Sequence, residues 1–237
     1  MTVIANNLDR LEDAISGACR AAGRPREEVE LVAVSKTHPA QVLVEAFDLG
    51  LRMFGENRVQ EFAQKSAMLP AEVRSRMRTH LIGHLQSNKA AKAVEVFDAI
   101  DSLDSLKLAE RLDAAAGKAG KRLPVLIEIK LSHEETKAGL TPDSTELAQL
   151  LERLPEFSNL DAQGLMTIAP LDVPEAETRA CFRSLRTLRD QLASAHPRLN
   201  LPVLSMGMSG DFRLAIAEGA TRIRVGTALF GAREYPA

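Results

Sequence analysis

Lys36 closes the apolar run Leu31, Val32, Ala33, Val34 in the stretch LVAVSKTHPA, just ahead of a turn at Pro39. A lysine there has two readings. It reaches water from a strand end along its own apolar stem, or it is a nucleophile at a pocket mouth, of the kind that condenses with carbonyl compounds. Two stretches near the carboxy terminus bear on the choice. SMGMSGD (205–211) supplies Ser205, Gly207 and Ser209, and GTALFG (226–231) supplies Gly226 and Thr227. Hydroxyls and bare amides on glycine-containing loops suit an oxyanion, because glycine lets backbone N–H groups approach it closely. Either stretch alone is no more than a turn or a helix cap; the pair reads as a phosphate site. In RIRVGT, Arg224 stands two places before Gly226, so on a strand the two share a face. A guanidinium beside a pyridine nitrogen keeps that nitrogen unprotonated, since two cationic neighbours repel. The other reading pairs Arg224 with an acid on the exterior.

These residues need a frame that brings them together. An amphipathic helix over 2–22 leads into a strand at 29–36, and strands are then expected at Met53–Gly55, 79–83, Ala99–Ile100, 123–131, 162–169, 201–208 and 222–231. Helical patterns lie between them, including one over 142–154 that starts at Thr141 and Pro142, and another over 174–195. Strands apolar on both faces and separated by helices require a parallel sheet, and eight such units predict a single (β/α)8 TIM-type barrel with an extra N-terminal helix. An open doubly wound sheet is the competing architecture. Against it, no G-x-G-x-x-G turn follows the first strand and no G-x-x-x-x-G-K-[ST] occurs. In a barrel all strand carboxyl ends share one face. That face then collects Lys36, Glu56 and Asn57 from FGENRVQE, His84 from LIGHLQSNK, and the two glycine-containing loops.

Composition bounds the function. The chain has 237 residues, 45% hydrophobic and 26% charged, which suits one globular domain over 1–237. A net charge of −2, no tryptophan and one tyrosine leave neither a basic face nor stacking platforms for nucleic acid. No apolar run is long enough to span a bilayer, and the amino terminus is unlike a signal peptide, so a cytoplasmic protein is expected. Cys19 and Cys181 lie far apart and read as small packing residues. A monomer or weak dimer is expected. His80 and His84 are four apart but lack an H-E-x-x-H context, so no metal site is expected. His38 is expected only to shape the turn before Pro39.

A lysine and a phosphate site on one barrel face suit either a Schiff-base aldolase acting on a sugar phosphate, or pyridoxal 5′-phosphate (PLP), an aldehyde anchored by its own phosphate. AVSKTHP, FGENRVQE, HLIGHLQSNK, GLMTIA, SMGMSGDF and IRVGTALFGAR, in this order, resemble the pyridoxal phosphate homeostasis protein family over essentially the whole chain. The resemblance implies a barrel similar to the PLP-binding domain of bacterial alanine racemases, with Lys36 in Schiff-base linkage to PLP. It also implies phosphate held by the 205–209 loop with Gly226 and Thr227, Arg224 near the pyridine nitrogen, and Asn57 close to the ring. One departure stands out. The family commonly has Gln-Val-Asn on the fifth strand where this chain has Glu128-Ile129-Lys130, while the following EETKAG, with Lys137 before Gly139, is retained. Family members are described as carriers that buffer PLP, with PLP-dependent apo-enzymes as candidate recipients. A racemase of the similar fold takes a tyrosine from a separate carboxy-terminal β domain; here the single tyrosine is Tyr235, in the tail. The expectation is therefore a carrier and not an enzyme, with a low-activity PLP-dependent amino-acid racemase as the alternative.

Overall fold

The computed structural model describes residues 2–132 and 138–231, so Lys137 and Tyr235 lie outside the described residues. Eight parallel strands form a closed barrel in chain order: β1 (Glu30–Val34), β2 (Met53–Glu56), β3 (Arg78–Leu81), β4 (Ala99–Leu103), β5 (Leu123–Glu128), β6 (Leu160–Met166), β7 (Val203–Ser205) and β8 (Arg222–Val225). β8 returns to β1 with Leu31 opposite Ile223 and Ala33 opposite Val225, which closes the ring. Around it run the helices that connect the strands, after a first helix α1 (Val3–Ala21) capped by Thr2, whose hydroxyl accepts from the Ala5 amide. The expected (β/α)8 barrel with an extra N-terminal helix is the fold observed.

Each strand alternates its side chains between two environments. One parity faces the helices and builds the apolar core. Ala33, Phe54, Ile127, Leu165, Leu204 and Val225 meet Leu43 of α2 (Ala40–Asp48), Phe62 of α3 (Val59–Ala67), Leu108 of α6 (Leu106–Lys118), Leu150 of α7 (Thr145–Arg153) and Phe182 of α8 (Glu175–Ala195). The other parity faces the barrel interior and is partly charged. His80 Nδ1 lies 2.9 Å from Asp101 Oδ1, and Arg222 Nη1 lies 3.6 Å from Asp101 Oδ2. Burial alone would raise the Asp101 pKa, but His80, Arg222 and Arg224 around it outweigh that and hold it below the usual carboxylate value.

Three local expectations are corrected. α7 begins later than Pro142: Ser144 is its N-cap, with a side chain that accepts from the Leu147 amide and donates to the Thr141 carbonyl. The eighth strand ends at Val225, and Thr227–Phe230 turn into a short helix, α10, so the last strand also has its helix. α1 accounts for this turn, because the Asn7 side chain donates to the Leu229 carbonyl at 3.1 Å and fastens α10 beneath α1. The seventh strand is only three residues long, because Gly207 at φ +94 breaks the extended run. A Cβ there would stand 2.5 Å from the Ala215 Cβ, on α9 (Phe212–Ala217), so no other residue fits without displacing that helix. Among the described residues no helix is long and apolar enough to cross a membrane.

Candidate functional site

A cavity of about 320 Å³ opens at the carboxyl ends of the strands. Lys36, Asn57, Ser209, Arg224, Gly226 and Thr227 line it, so one recess brings together six of the residues expected from sequence. Val34, Ile82, Ile168 and Met208 add apolar walls. Two expected residues are not in the lining. Ser205 ends β7 fully buried, and its Oγ accepts from Arg224 Nη1 at 2.8 Å. Gly207 contributes its carbonyl, which accepts the Arg224 amide at 2.9 Å. Both hold the arginine in place from behind the wall. The sequence put them on the rim because how deep the residues after the short seventh strand lie is a tertiary feature.

Arg224 is 4% exposed and does not face an exterior acid. Its Nη2 donates to the Thr167 carbonyl at 2.8 Å, so Ser205 and Thr167 fix the plane of the guanidinium. Burial pulls its pKa down, and Asp101, Glu128 and Asp211 oppose that. A rigid cation thus stands in the cavity wall, with hydroxyls of Ser209 and Thr227 available elsewhere on the same wall. Ser209 Oγ also accepts the Ala228 amide at 3.3 Å, which joins the two glycine-containing loops.

A network that sequence reading missed tethers the Lys36 turn. Glu56 was expected at the mouth, but it points between the sheet and α3, fully buried. Its Oε1 accepts from the Ser35 hydroxyl at 2.8 Å and from Lys65 Nζ at 2.6 Å, and Lys65 also donates to the Ser35 carbonyl at 2.9 Å. Burial raises the Glu56 pKa, and Lys65 and Ser35 work against it. Glu61 accepts the Thr37 amide at 2.7 Å. Thr37 itself adopts φ +67, which a β-branched residue rarely does. The residues on both sides of Lys36 are therefore bound to one ionic cluster, and the lysine projects into the cavity from a constrained turn. The sequence did hold a signal, in the spacing of Glu61 and Lys65 four apart on a helix that follows FGEN.

Asn57 is positioned by close backbone contact. A Cβ at Gly83 would stand 2.5 Å from the Asn57 carbonyl oxygen, so only glycine lets the loop after β3 press on this residue. His38, expected only to shape its turn, also lines the cavity, and its ring packs against Phe230 with centroids 5.1 Å apart. Of the two other histidines considered, His80 is buried against Asp101 inside the barrel, while His84 is exposed and lies 2.7 Å from Asp104. Glu128 and Lys130, the departure on the fifth strand, line a neighbouring cavity of about 280 Å³ together with His84.

Comparison with known proteins gives the family. The family model for the alanine racemase N-terminal domain matches residues 6–234. The pyridoxal phosphate homeostasis protein of Aquifex aeolicus is 43% identical over 229 residues, covering 96% of this chain and 97% of that protein. A structure of PipY from Synechococcus elongatus PCC7942, with PLP bound, is 46% identical and superposes with a TM-score of 0.83, covering 96% of this chain and all of that one. An alanine racemase from Clostridium difficile shares the fold, at a TM-score of 0.74 and 16% identity, over 57% of its own length. The barrel, the order of its motifs and similarity along nearly the full length of homeostasis proteins lead to one assignment: the chain belongs to the pyridoxal phosphate homeostasis protein family.

Proposed function

We propose that this chain binds PLP in the cavity at the strand carboxyl ends and buffers or delivers it, without turnover of its own. The observation that carries the reading is that one recess holds a lysine amine, two hydroxyls on adjoining glycine-containing loops, and a buried guanidinium. PLP supplies an aldehyde for condensation with a primary amine and a phosphate for anchoring. Lys36 offers the amine. Ser209 and Thr227 would donate their hydroxyl protons to the phosphate, and Gly226, where a Cβ would stand 3.2 Å from the Val34 carbonyl oxygen, lets the loop pack closely on β1. Arg224, with its orientation fixed by Ser205 and Thr167, stands near the ring nitrogen and keeps it unprotonated. Asn57 packs beside the ring. A PLP-bound relative at 46% identity supports the choice of ligand. The same reading places the protein in the cytoplasm as a monomer or weak dimer, with PLP-dependent apo-enzymes as recipients.

The test is to titrate the full chain with PLP, record the visible absorbance and then reduce with borohydride. The wild type is expected to turn yellow and to retain cofactor on the peptide that contains Lys36. Lys36→Ala is expected to abolish the fixed cofactor. An unchanged band in that variant, with reduction still labelling the same peptide, overturns the assignment.

A further inference from the structure

A cleft of about 620 Å³ lies between α5 (Ala90–Val96) and α6 on the outer, helical side of the barrel. Lys107, Arg111 and Lys118 of α6 line it together with Ala91, Ala114 and Ala115. The three cations are exposed, as are Ala91 and Ala114. Residues 107, 111, 114 and 118 recur at three- and four-residue intervals, so they form one stripe along the helix. At 1.5 Å per residue its charges span about 16 Å. No carboxylate stands among the described residues that line the cleft. Both helices carry acids, but each is engaged elsewhere. Glu95 pairs with Lys92, Glu110 with Arg153, and Asp113 accepts from the Asn159 amide and side chain. Lys107, Arg111 and Lys118 make no ion pair among the described residues, and Lys107 stands in the first turn of α6, where the helix dipole disfavours a cation. These charges therefore do little for the fold.

We propose that this cleft docks an acidic helix of a partner protein, whose carboxylates, spaced three and four residues apart on one face, meet Lys107, Arg111 and Lys118. The small alanine side chains let a ridge of that helix lie low between α5 and α6. Nucleic acid is disfavoured as the occupant, because the positive charge is confined to one stripe on a chain of net charge −2 that has no tryptophan for stacking. The docking rests on the proposed function only for its purpose. Ser87 and Asn88, also in the lining, belong to the loop after β3, and Gly83 of that loop presses on Asn57 in the cavity that Lys36 lines. A partner seated in the cleft thus stands one loop away from the cavity mouth, where a recipient of the cofactor has to be. Exposed ion pairs change affinity by up to about fivefold each, so three of them give a weak, salt-sensitive encounter from which the partner readily leaves.

The probe is an alanine–glutamine helical peptide of about 20 residues with glutamates at i, i+4, i+7 and i+11, a stripe that reads the same in either chain direction. It is titrated into the nitrogen-15-labelled full chain without PLP, and amide shifts are followed by NMR. Saturable shifts are expected at residues 87–91 and 107–118, and they are expected to vanish in about 1 M salt, where the screening length falls to about 3 Å. A peptide with the same glutamates scattered round the helix, and one with a lysine stripe, are expected to leave those amides unmoved. Changing Lys107, Arg111 and Lys118 together to Glu is expected to reject the glutamate stripe and accept the lysine stripe. Ala114→Trp fills the cleft with the charges intact and is expected to abolish the shifts. No shift at those amides, equal shifts with the scattered peptide, or undiminished binding in either variant overturns the proposal. So does tighter binding at the same amides of a single-stranded DNA oligomer or of phosphatidylserine vesicles, or self-association of the chain that the charge reversal removes, since each assigns the cleft to another occupant. A parallel PLP titration separates the two readings. Docking without PLP uptake sinks the cavity reading and leaves this one standing, whereas PLP uptake without docking does the reverse.

Discussion

Glu128 shows how burial of one side chain makes stability depend on pH. Its pKa of about 7 in the folded chain exceeds the ordinary value of 4.5, so the folded state holds a proton that the unfolded state releases. The sign follows directly: the group's favourable contribution is complete below about pH 4.5 and is lost as pH rises through about 7. The gap between those values corresponds to roughly 3 kcal/mol as an upper bound. Glu128→Gln, which cannot ionise, is thus expected to match the wild type at pH 4.5 and to exceed it by up to about 3 kcal/mol at pH 8, measured by urea unfolding at both pH values. A constant difference across that range would mean that the carboxyl is not strained by burial. Sequence identified the position through the Glu-Ile-Lys departure but not its consequence, since burial beside Asp104 is a tertiary fact. That Lys36, Asn57, Arg224 and Thr227 would line one recess was legible because strand-end position in a barrel is itself a location. Ser205 and Gly207 were misplaced by one layer, from the cavity rim to the support of Arg224.

The turn that carries Lys36 is shaped mainly by its neighbour α3. Lys65 and Glu61 on that helix hold Ser35, Glu56 and Thr37, so β1, β2 and α3 meet in a buried ionic cluster. Removing one partner of a buried ion pair leaves the other charge uncompensated, which typically costs about 3–5 kcal/mol. Lys65→Met, similar in shape but uncharged, is expected to lose that much in urea unfolding and to weaken PLP uptake, because the turn is no longer tethered. The double variant Lys65→Met with Glu56→Gln is expected to recover most of the stability but not the uptake. A loss under about 1 kcal/mol in the single variant would show that the cluster is solvated in solution. Among the elements, long amphipathic helices such as α1 and α8 were readable within a residue or two, because their apolar period is set by the core they cover. α10 was hidden inside an apolar run that reads equally as strand. Its helical turn depends on Gly226 and on the Asn7 contact from the far end of the chain.

The closed barrel turns eight separate strand ends into one rim. Such a rim supports either a carrier or a catalyst, and the distant racemase with the same fold settles nothing beyond fold. On the proposed placement of PLP, what would separate the two is the charge set against its ring. Arg224 is held by Ser205 and Thr167 with Asp101 and Glu128 nearby, so it remains a cation that resists protonation of a pyridine nitrogen at its side. An unprotonated ring draws electrons poorly from a carbanion, which makes proton removal at an amino-acid Cα slow. The PLP-loaded wild type is therefore expected to exchange Cα deuterium from D-alanine or L-alanine far more slowly than the ~1 s⁻¹ at the low end of ordinary enzyme turnover. Arg224→Glu reverses the sign of that neighbour and is expected to raise the exchange rate while weakening PLP retention, since the buried hydrogen bonds to Ser205 and Thr167 are lost with the guanidinium. Both are read in one experiment by proton NMR of alanine in deuterated buffer, with visible absorbance reporting the cofactor. Wild-type exchange at ~1 s⁻¹ or faster would overturn the carrier reading in favour of a racemase, and Arg224→Glu with no gain at full PLP occupancy would show that the arginine does not govern the ring nitrogen.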